Sequence, residues 1–136
     1  MNKPSVVLDT NIYISSLFWG GASYKIVQKA IEQQIIVFIS KEILKEIEKV
    51  LIRDFNLEKQ EIEDVLEAII LFTHIIEVNT KLDLVQEDPD DNKILECAFD
   101  SNSNYIVTQD KHLLKLGKFI DIKITSPENF LKTKHF

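Results

Sequence analysis

"IIVFISKEILKEIEKVL" (residues 35–51) joins an unbroken apolar run to a helix signature with nothing in between. A run such as 35–39, with no polar side chain, suits a strand covered on both faces, as strands of a parallel sheet are. Ser40 then stands where a helix cap belongs, and Ile43, Leu44, Ile47, Val50 and Leu51 recur at helical spacing. A covered strand that passes straight into an amphipathic helix is half of a βαβ unit.

The same alternation extends in both directions. Upstream, "VVLD" (6–9) reads as a buried strand and "SYKIVQKAIEQ" (23–33) as a helix with Ser23 as cap. Downstream, "LEKQEIEDVLEAIILF" (57–72) is helical, "HIIEV" (74–78) a short strand and "DPDDNKILECAF" (88–99) a capped helix. "YIVTQD" (105–110) and "IDIKIT" (120–125) are strands on either side of the brief helix "KHLLKLG" (111–117). "SPENFLK" (126–132) closes as a turn of helix, with Ser126 as cap and Pro127 at its first position. Strands alternating with helices predict an α/β fold of three layers, α/β/α, around a mostly parallel sheet of four to five strands. No repeat or linker divides the chain, so residues 1–136 read as one domain.

Composition narrows the class. Apolar residues make up 45% and charged residues 28%, the balance of an ordinary soluble globule. The one cysteine, Cys97, forms no internal disulfide and fits a reducing compartment, so the cytoplasm is the expected location. It is expected to be a buried, inert thiol. His74, His112 and His135 show no metal-ligand spacing. No apolar run approaches the length of a membrane span and the N-terminus lacks a signal-peptide pattern, so no membrane role is expected. The net charge of −6 argues against holding nucleic acid by broad phosphate neutralisation; such a role needs a local basic patch or a metal ion.

In doubly wound sheets, ligands bind beyond the carboxyl ends of the strands. Asp9 ends the first strand, Glu46 lies in the helix after the second, and Asp88, Asp90 and Asp91 open a later helix. Asp110 follows the fourth strand. Taken singly, each has an ordinary role. Asp9, Asp88 and Asp110 suit helix caps, and Glu46 sits on the margin of an apolar stripe. Their convergence at one sheet edge is what capping does not explain. Converging carboxylates repel, and at neutral pH they take up protons or bind a hard cation such as Mg²⁺ or Mn²⁺. Such a site activates water and stabilises charge on a phosphoryl group, which implies phosphodiester hydrolysis.

The stretches "VVLDTNIYISSLFW", "SKEILKEIEKVL", "DPDDNKILECA" and "YIVTQDKHLL" resemble, in order, the four motif regions of the PIN-domain ribonucleases. More narrowly they resemble the VapC-like branch that serves as the toxin of toxin–antitoxin pairs. The resemblance implies Asp9, Glu46, Asp91 and Asp110 as catalytic, metal-binding acids. It implies Asn11 and Thr108 as groups that orient those acids, with Asp88 as an additional acid behind them. It further implies Mg²⁺- or Mn²⁺-dependent cleavage of single-stranded RNA, a homodimer and a small antitoxin protein as partner.

Substrate contacts are expected from Lys93, Lys111 and His112, with Lys115 and Lys118 nearby. Phe18 and Trp19 are read either as base-stacking groups or as core or dimer contacts. Other phosphate chemistries fit less well. A phospho-receiver needs an acid pair after its first strand, a haloacid-type phosphatase needs an acid where Asn11 stands, and no glycine-rich nucleotide loop is present. The remaining alternative is a PIN-like module that binds RNA or protein with little or no catalysis.

Overall fold

The computed structural model describes residues 3–82 and 89–133, so Asp88 and His135 lie outside the described residues. Six strands form one sheet in the order β3-β2-β1-β4-β6-β5. They are β1 (Ser5–Leu8), β2 (Ile36–Ser40), β3 (His74–Ile76), β4 (Tyr105–Val107), β5 (Lys118–Phe119) and β6 (Ile122–Thr125). All neighbours pair in parallel except β5 with β6. The α/β class and the parallel sheet are as the sequence predicts. The strand beyond the expected number, β5, is a two-residue return along the sheet edge, too short to leave a period in the sequence.

Seven helices flank the sheet within the described residues: α1 (Thr10–Phe18), α2 (Gly21–Ile31), α3 (Lys41–Phe55), α4 (Lys59–Phe72), α5 (Asn92–Asp100), α6 (Lys111–Leu116) and α7 (Pro127–Lys132). None is long and apolar enough to cross a membrane. Val6, Val7 and Leu8 of β1 are all fully buried. Successive side chains point to opposite faces, so helices must cover both. Each such burial contributes about 1.5–3 kcal/mol.

Local chemistry sets the helix ends. Ser40 caps α3 by accepting from the Ile43 N–H at 3.2 Å, and Ser126 caps α7 by accepting from the Asn129 N–H at 3.2 Å. Glu58 and Glu61 form a reciprocal capping box at the start of α4. Ile43, Ile47, Val50 and Leu51 are the buried stripe of α3, as their spacing predicts.

Two local expectations change. Ser23 is not a cap: α2 begins at Gly21, and Ser23 lies buried inside it. The cap position goes to Gly20, whose φ of 71° and ψ of −133° belong to a region that glycine enters freely. Helix α1 has no counterpart among the predicted elements. Thr10, Ile12 and Ile14 are β-branched and lower helix propensity, and Ile12, Tyr13 and Ile14 are buried in succession. Packing against α2 and α3 covers more than one side of α1, so no amphipathic stripe shows in its sequence.

From β1 the chain adds β2 and β3 on one side, then crosses to add β4 and β6 on the other. The connections therefore diverge between β1 and β4, the place where such sheets open a crevice. Leu8 pairs with Val107 in register, so the next residues, Asp9 and Thr108, leave the sheet side by side.

Candidate active site

Asp9 holds the N-cap position of α1 with extended backbone, yet its side chain makes no capping bond. The carboxylate turns instead to the neighbouring strand end, where Oδ2 accepts the Thr108 hydroxyl at 2.6 Å. The same hydroxyl oxygen accepts the Asp110 N–H at 2.9 Å. Thr108 is fully buried and Asp9 only 6% exposed. One side chain thus ties the two central strand ends together and aims an ionisable group at the crevice.

The crevice is a cleft of about 180 Å³. It brings together Asp9, Glu46, Asp91 and Asp110, the four acids that the sequence singles out. Each comes from a different part of the fold: the end of β1, the middle of α3, the turn before α5 and the cap of α6. Asp91 is buried at 6% exposure and occupies the N-cap position of α5 without a side-chain capping bond. Asp110 does cap: its Oδ1 accepts from the N–H groups of His112 at 2.8 Å and Leu113 at 3.1 Å. The ordinary role and the cleft position therefore coexist in Asp110, one oxygen being committed to the helix. Glu46 meets the Lys93 ammonium at 3.5 Å, and the same ammonium lies 3.5 Å from Asp90.

The other expected residues divide. Lys93 lines the cleft, but its charge is engaged by Glu46 and Asp90. Lys111 and His112 are exposed on α6 and do not line the cleft. Asn11 lines it as an exposed residue and makes no hydrogen bond to an acid among the described residues, so the orienting contact is made by Thr108 alone of the pair. The expected contribution of Asp88 falls outside the described residues.

Asp90, named among the acids of the sequence but given no role, also lines the cleft, as do Arg53 and Asp54, which sequence reading missed. A signal existed for both of these. Glu46, Val50, Arg53 and Asp54 follow one another at helical spacing, so the face of α3 that carries Glu46 to the cleft must carry the others. Arg53 donates to Asp54 through Nε at 2.8 Å and Nη2 at 3.1 Å. Those bonds hold the Asp54 carboxyl below its ordinary pKa and raise that of the guanidinium.

Six carboxylates face two basic groups in the cleft, a formal excess of four negative charges. An all-oxygen donor set of this kind matches Mg²⁺ or Mn²⁺ and no softer metal. Among the described residues no three His, Cys, Asp or Glu side chains are gathered closely enough to hold one ion in this conformation. Glu46 drawn to Lys93 and Asp110 drawn to its helix account for part of that spread.

Residues 5–112 match the family model of the PIN domain. The chain belongs to the PIN domain family. Solved structures with this fold agree. VapBC2 from Rickettsia felis, determined bound to a DNA fragment from its promoter, superposes with a TM-score of 0.64 at 16% identity, covering 90% of this chain and 98% of that one. VapC20 of Mycobacterium tuberculosis, a sarcin–ricin loop cleaving toxin, gives a TM-score of 0.57 at 13% identity, covering 87% and 98%. No curated protein matches the chain by sequence. At these identities the structural likeness speaks for the fold, and the PIN assignment rests on the family model.

Proposed function

We propose that this PIN domain chain acts, as a single domain, as an endoribonuclease that cuts single-stranded RNA with Mg²⁺ or Mn²⁺. We propose further that it is the toxin of a toxin–antitoxin pair in the cytoplasm. The observation that carries the reading is the delivery of four carboxylates from four separate elements to one cleft at the sheet's switch point, with Asp9 fixed by Thr108. Membership of the PIN family supports it.

In this reading Asp9, Glu46, Asp91 and Asp110 hold the cation, which when bound polarises the phosphoryl group and lowers the pKa of water. Thr108 orients Asp9 by donating a hydrogen bond from its hydroxyl to Oδ2. Lys93 holds Glu46 at the cleft wall and balances charge there. Its phosphate-binding role gives way to this one, while Lys111 and His112 contact the RNA outside the cleft.

The toxin role borrows from the fold neighbour VapC20 and is a proposal for this chain. An antitoxin needs an apolar seat. A groove of about 810 Å³ runs between α1, α2 and α4, with Leu17, Ile31 and Leu71 exposed along it. The buried Tyr13 hydroxyl on its wall has no hydrogen-bond partner among the described residues. A homodimer seated there is the competing occupant.

The test is incubation of wild type and Asp9→Asn with single-stranded RNA and Mn²⁺. Cleavage by wild type and loss in the variant are expected. Equal cleavage by both, or none by a metal-loaded wild type, sinks the nuclease.

A second reading, a PIN module that binds RNA or protein without cutting it, is favoured by one observation. The acids stand apart, and Lys93 already neutralises Glu46. A Mn²⁺-dependent rise in Tm, lost in Asp9→Asn, is expected of the nuclease. Its absence at saturating metal selects the binding module.

A further inference from the structure

Phe18, Trp19 and Phe55 form an aromatic cluster at the far ends of α1 and α3, in which Phe55 is partly buried against the core and supports the two exposed rings. Phe18 stacks on Phe55 with centroids 4.1 Å apart and planes 2° from parallel. Trp19 meets both by its edge, at 5.9 Å from Phe18 and 5.8 Å from Phe55. Yet Trp19 is 69% exposed and Phe18 is 41% exposed. A tryptophan that buries so little of itself contributes little to the core. Single exposed apolar residues are ordinary, but contiguous ones mark contact surfaces. The turn that follows is built to hold the indole in place: Trp19 and Gly20 both donate to the Ser15 carbonyl, at 2.9 and 3.0 Å, before two positive-φ glycines reverse the chain.

The cluster neighbours the acidic cleft along α3: Phe55 is the residue after Asp54, which lines that cleft with Arg53, while the rings themselves lie outside its lining. Arg53 has spent two of its five N–H donors on Asp54 and remains 57% exposed, so it is oriented and has donors left for a phosphate. The chain as a whole carries −6 and cannot hold a polyanion by broad charge neutralisation. Affinity for a single strand then rests on local contacts, and beside a cation in the cleft stacking is one that needs only flat exposed rings and tolerates any base.

We infer that Phe18, Trp19 and Phe55 form a base-stacking subsite for single-stranded RNA, with Arg53 contacting the phosphate between the stacked nucleotide and the cleft. The inference rests on the reading that the chain acts on RNA, and it adds a residue set that no acid motif assigns. The occupant is a nucleobase rather than a protein segment because the exposed, oriented guanidinium of Arg53 stands in the cleft two residues before Phe55, where a phosphate of the same strand would lie.

Trp19 is the sole tryptophan, so its emission reports on this surface alone. The experiment titrates the non-cutting Asp9→Asn variant, in Mg²⁺, with a short oligouridylate, reading tryptophan fluorescence and the anisotropy of a labelled strand together. Quenching that saturates in step with the anisotropy is expected, as is none from an abasic strand of equal length. Adding Trp19→Ala should weaken binding by about 5- to 100-fold, the loss typical of one stacking ring. Trp19→Phe should restore most of it, and far-UV circular dichroism checks that both variants fold. Bound RNA that leaves the emission unchanged, a Trp19→Ala variant that binds as its parent does, or no RNA binding at all overturns the inference. So does an emission change that follows protein concentration without RNA, which assigns the rings to a second copy. Quenching by RNA together with an inert wild type would remove the nuclease and leave the stacking subsite. Cleavage without quenching would do the reverse.

Discussion

Replacing Thr108 by valine keeps the side-chain shape and removes one oxygen, which isolates the tie between the two central strand ends. Two bonds are lost. The first, to Asp9 at 2.6 Å, is buried and charge-assisted, a class that contributes about 1.5–3 kcal/mol net. The second, from the Asp110 N–H at 2.9 Å, is part-buried, so water can replace it and its loss costs at most about 1 kcal/mol. Thr108→Val should therefore destabilise by about 2–4 kcal/mol at neutral pH. For 136 residues, a transition entropy of about 2.1 cal/mol/K per residue converts this to a fall in Tm of about 7–14 °C. The assay is urea unfolding followed by circular dichroism, run as a double-mutant cycle with Asp9→Asn. In the asparagine background the bond becomes neutral and its share drops to about 0.5–1.5 kcal/mol, so the two changes should couple. A cost below about 0.5 kcal/mol, or the same cost in both backgrounds, refutes the claim that Thr108 acts through its bond to the Asp9 carboxyl group.

Three further outcomes test the framework around the site. Cys97 is fully buried and burial pushes its thiol up to about 12, so a thiol reagent at pH 8 should leave the folded protein untouched and label it in urea; native labelling at the unfolded rate would contradict this. Asp100 accepts from the Thr80 hydroxyl at 2.6 Å, the Thr80 N–H at 3.1 Å and the Asn79 N–H at 2.6 Å, bonds that hold its pKa below the ordinary carboxylate value. Its folded pKa is the lower one, so its contribution is complete above the unfolded value of about 3.9 and fades as pH falls through the folded value. Asp100→Asn should accordingly flatten the acid limb of a Tm-against-pH series, and an unchanged limb removes Asp100 from the account. Gly20→Ala meets open space, with nothing within 4 Å of the new methyl, so any cost is conformational. Chemical denaturation should show a loss of about 1–3 kcal/mol, and a neutral effect would deny that φ of 71° constrains this turn.

What could be read from the sequence follows the range of the interactions involved. Strands β1, β2, β4 and β6 are apolar runs bounded by polar residues, and α3, α5 and α7 carry stripes or caps that local chemistry writes plainly. Asp9, Asp91 and Asp110 were legible because each sits at a strand end or a helix start, places where topology alone fixes the direction of approach, and Glu46 because it borders the apolar stripe of α3. Helix α1 was not legible, since its stability comes from neighbours far away in sequence and its residues favour strands. The pairings of the acids span long stretches for the same reason: Thr108 and Asp9 are 99 residues apart, so only the resemblance pointed to Thr108, and Lys93 and Glu46, 47 apart, were not paired in the sequence. Arg53 was recoverable in principle from its helical phase with Glu46, but only once Glu46 was known to face the cleft.

The charge balance inside the cleft then connects these observations. Carboxylates from four elements line one cleft, and their like charge opposes folding even where they stand apart. The fold answers with groups already at hand. Thr108 lends a hydroxyl proton to Asp9, the α6 N–H groups take one oxygen of Asp110, and Lys93 sets its ammonium between Glu46 and Asp90. Lys93 stands two residues after Asp91, so the turn that brings an acid into the cleft also brings a cation. If the cleft takes up a divalent ion as proposed, that ion would compete with the ammonium for Glu46, and its binding would be an exchange of counter-ions rather than the filling of an uncompensated hole. Lys93 would then set stability without metal and affinity for it in opposite directions.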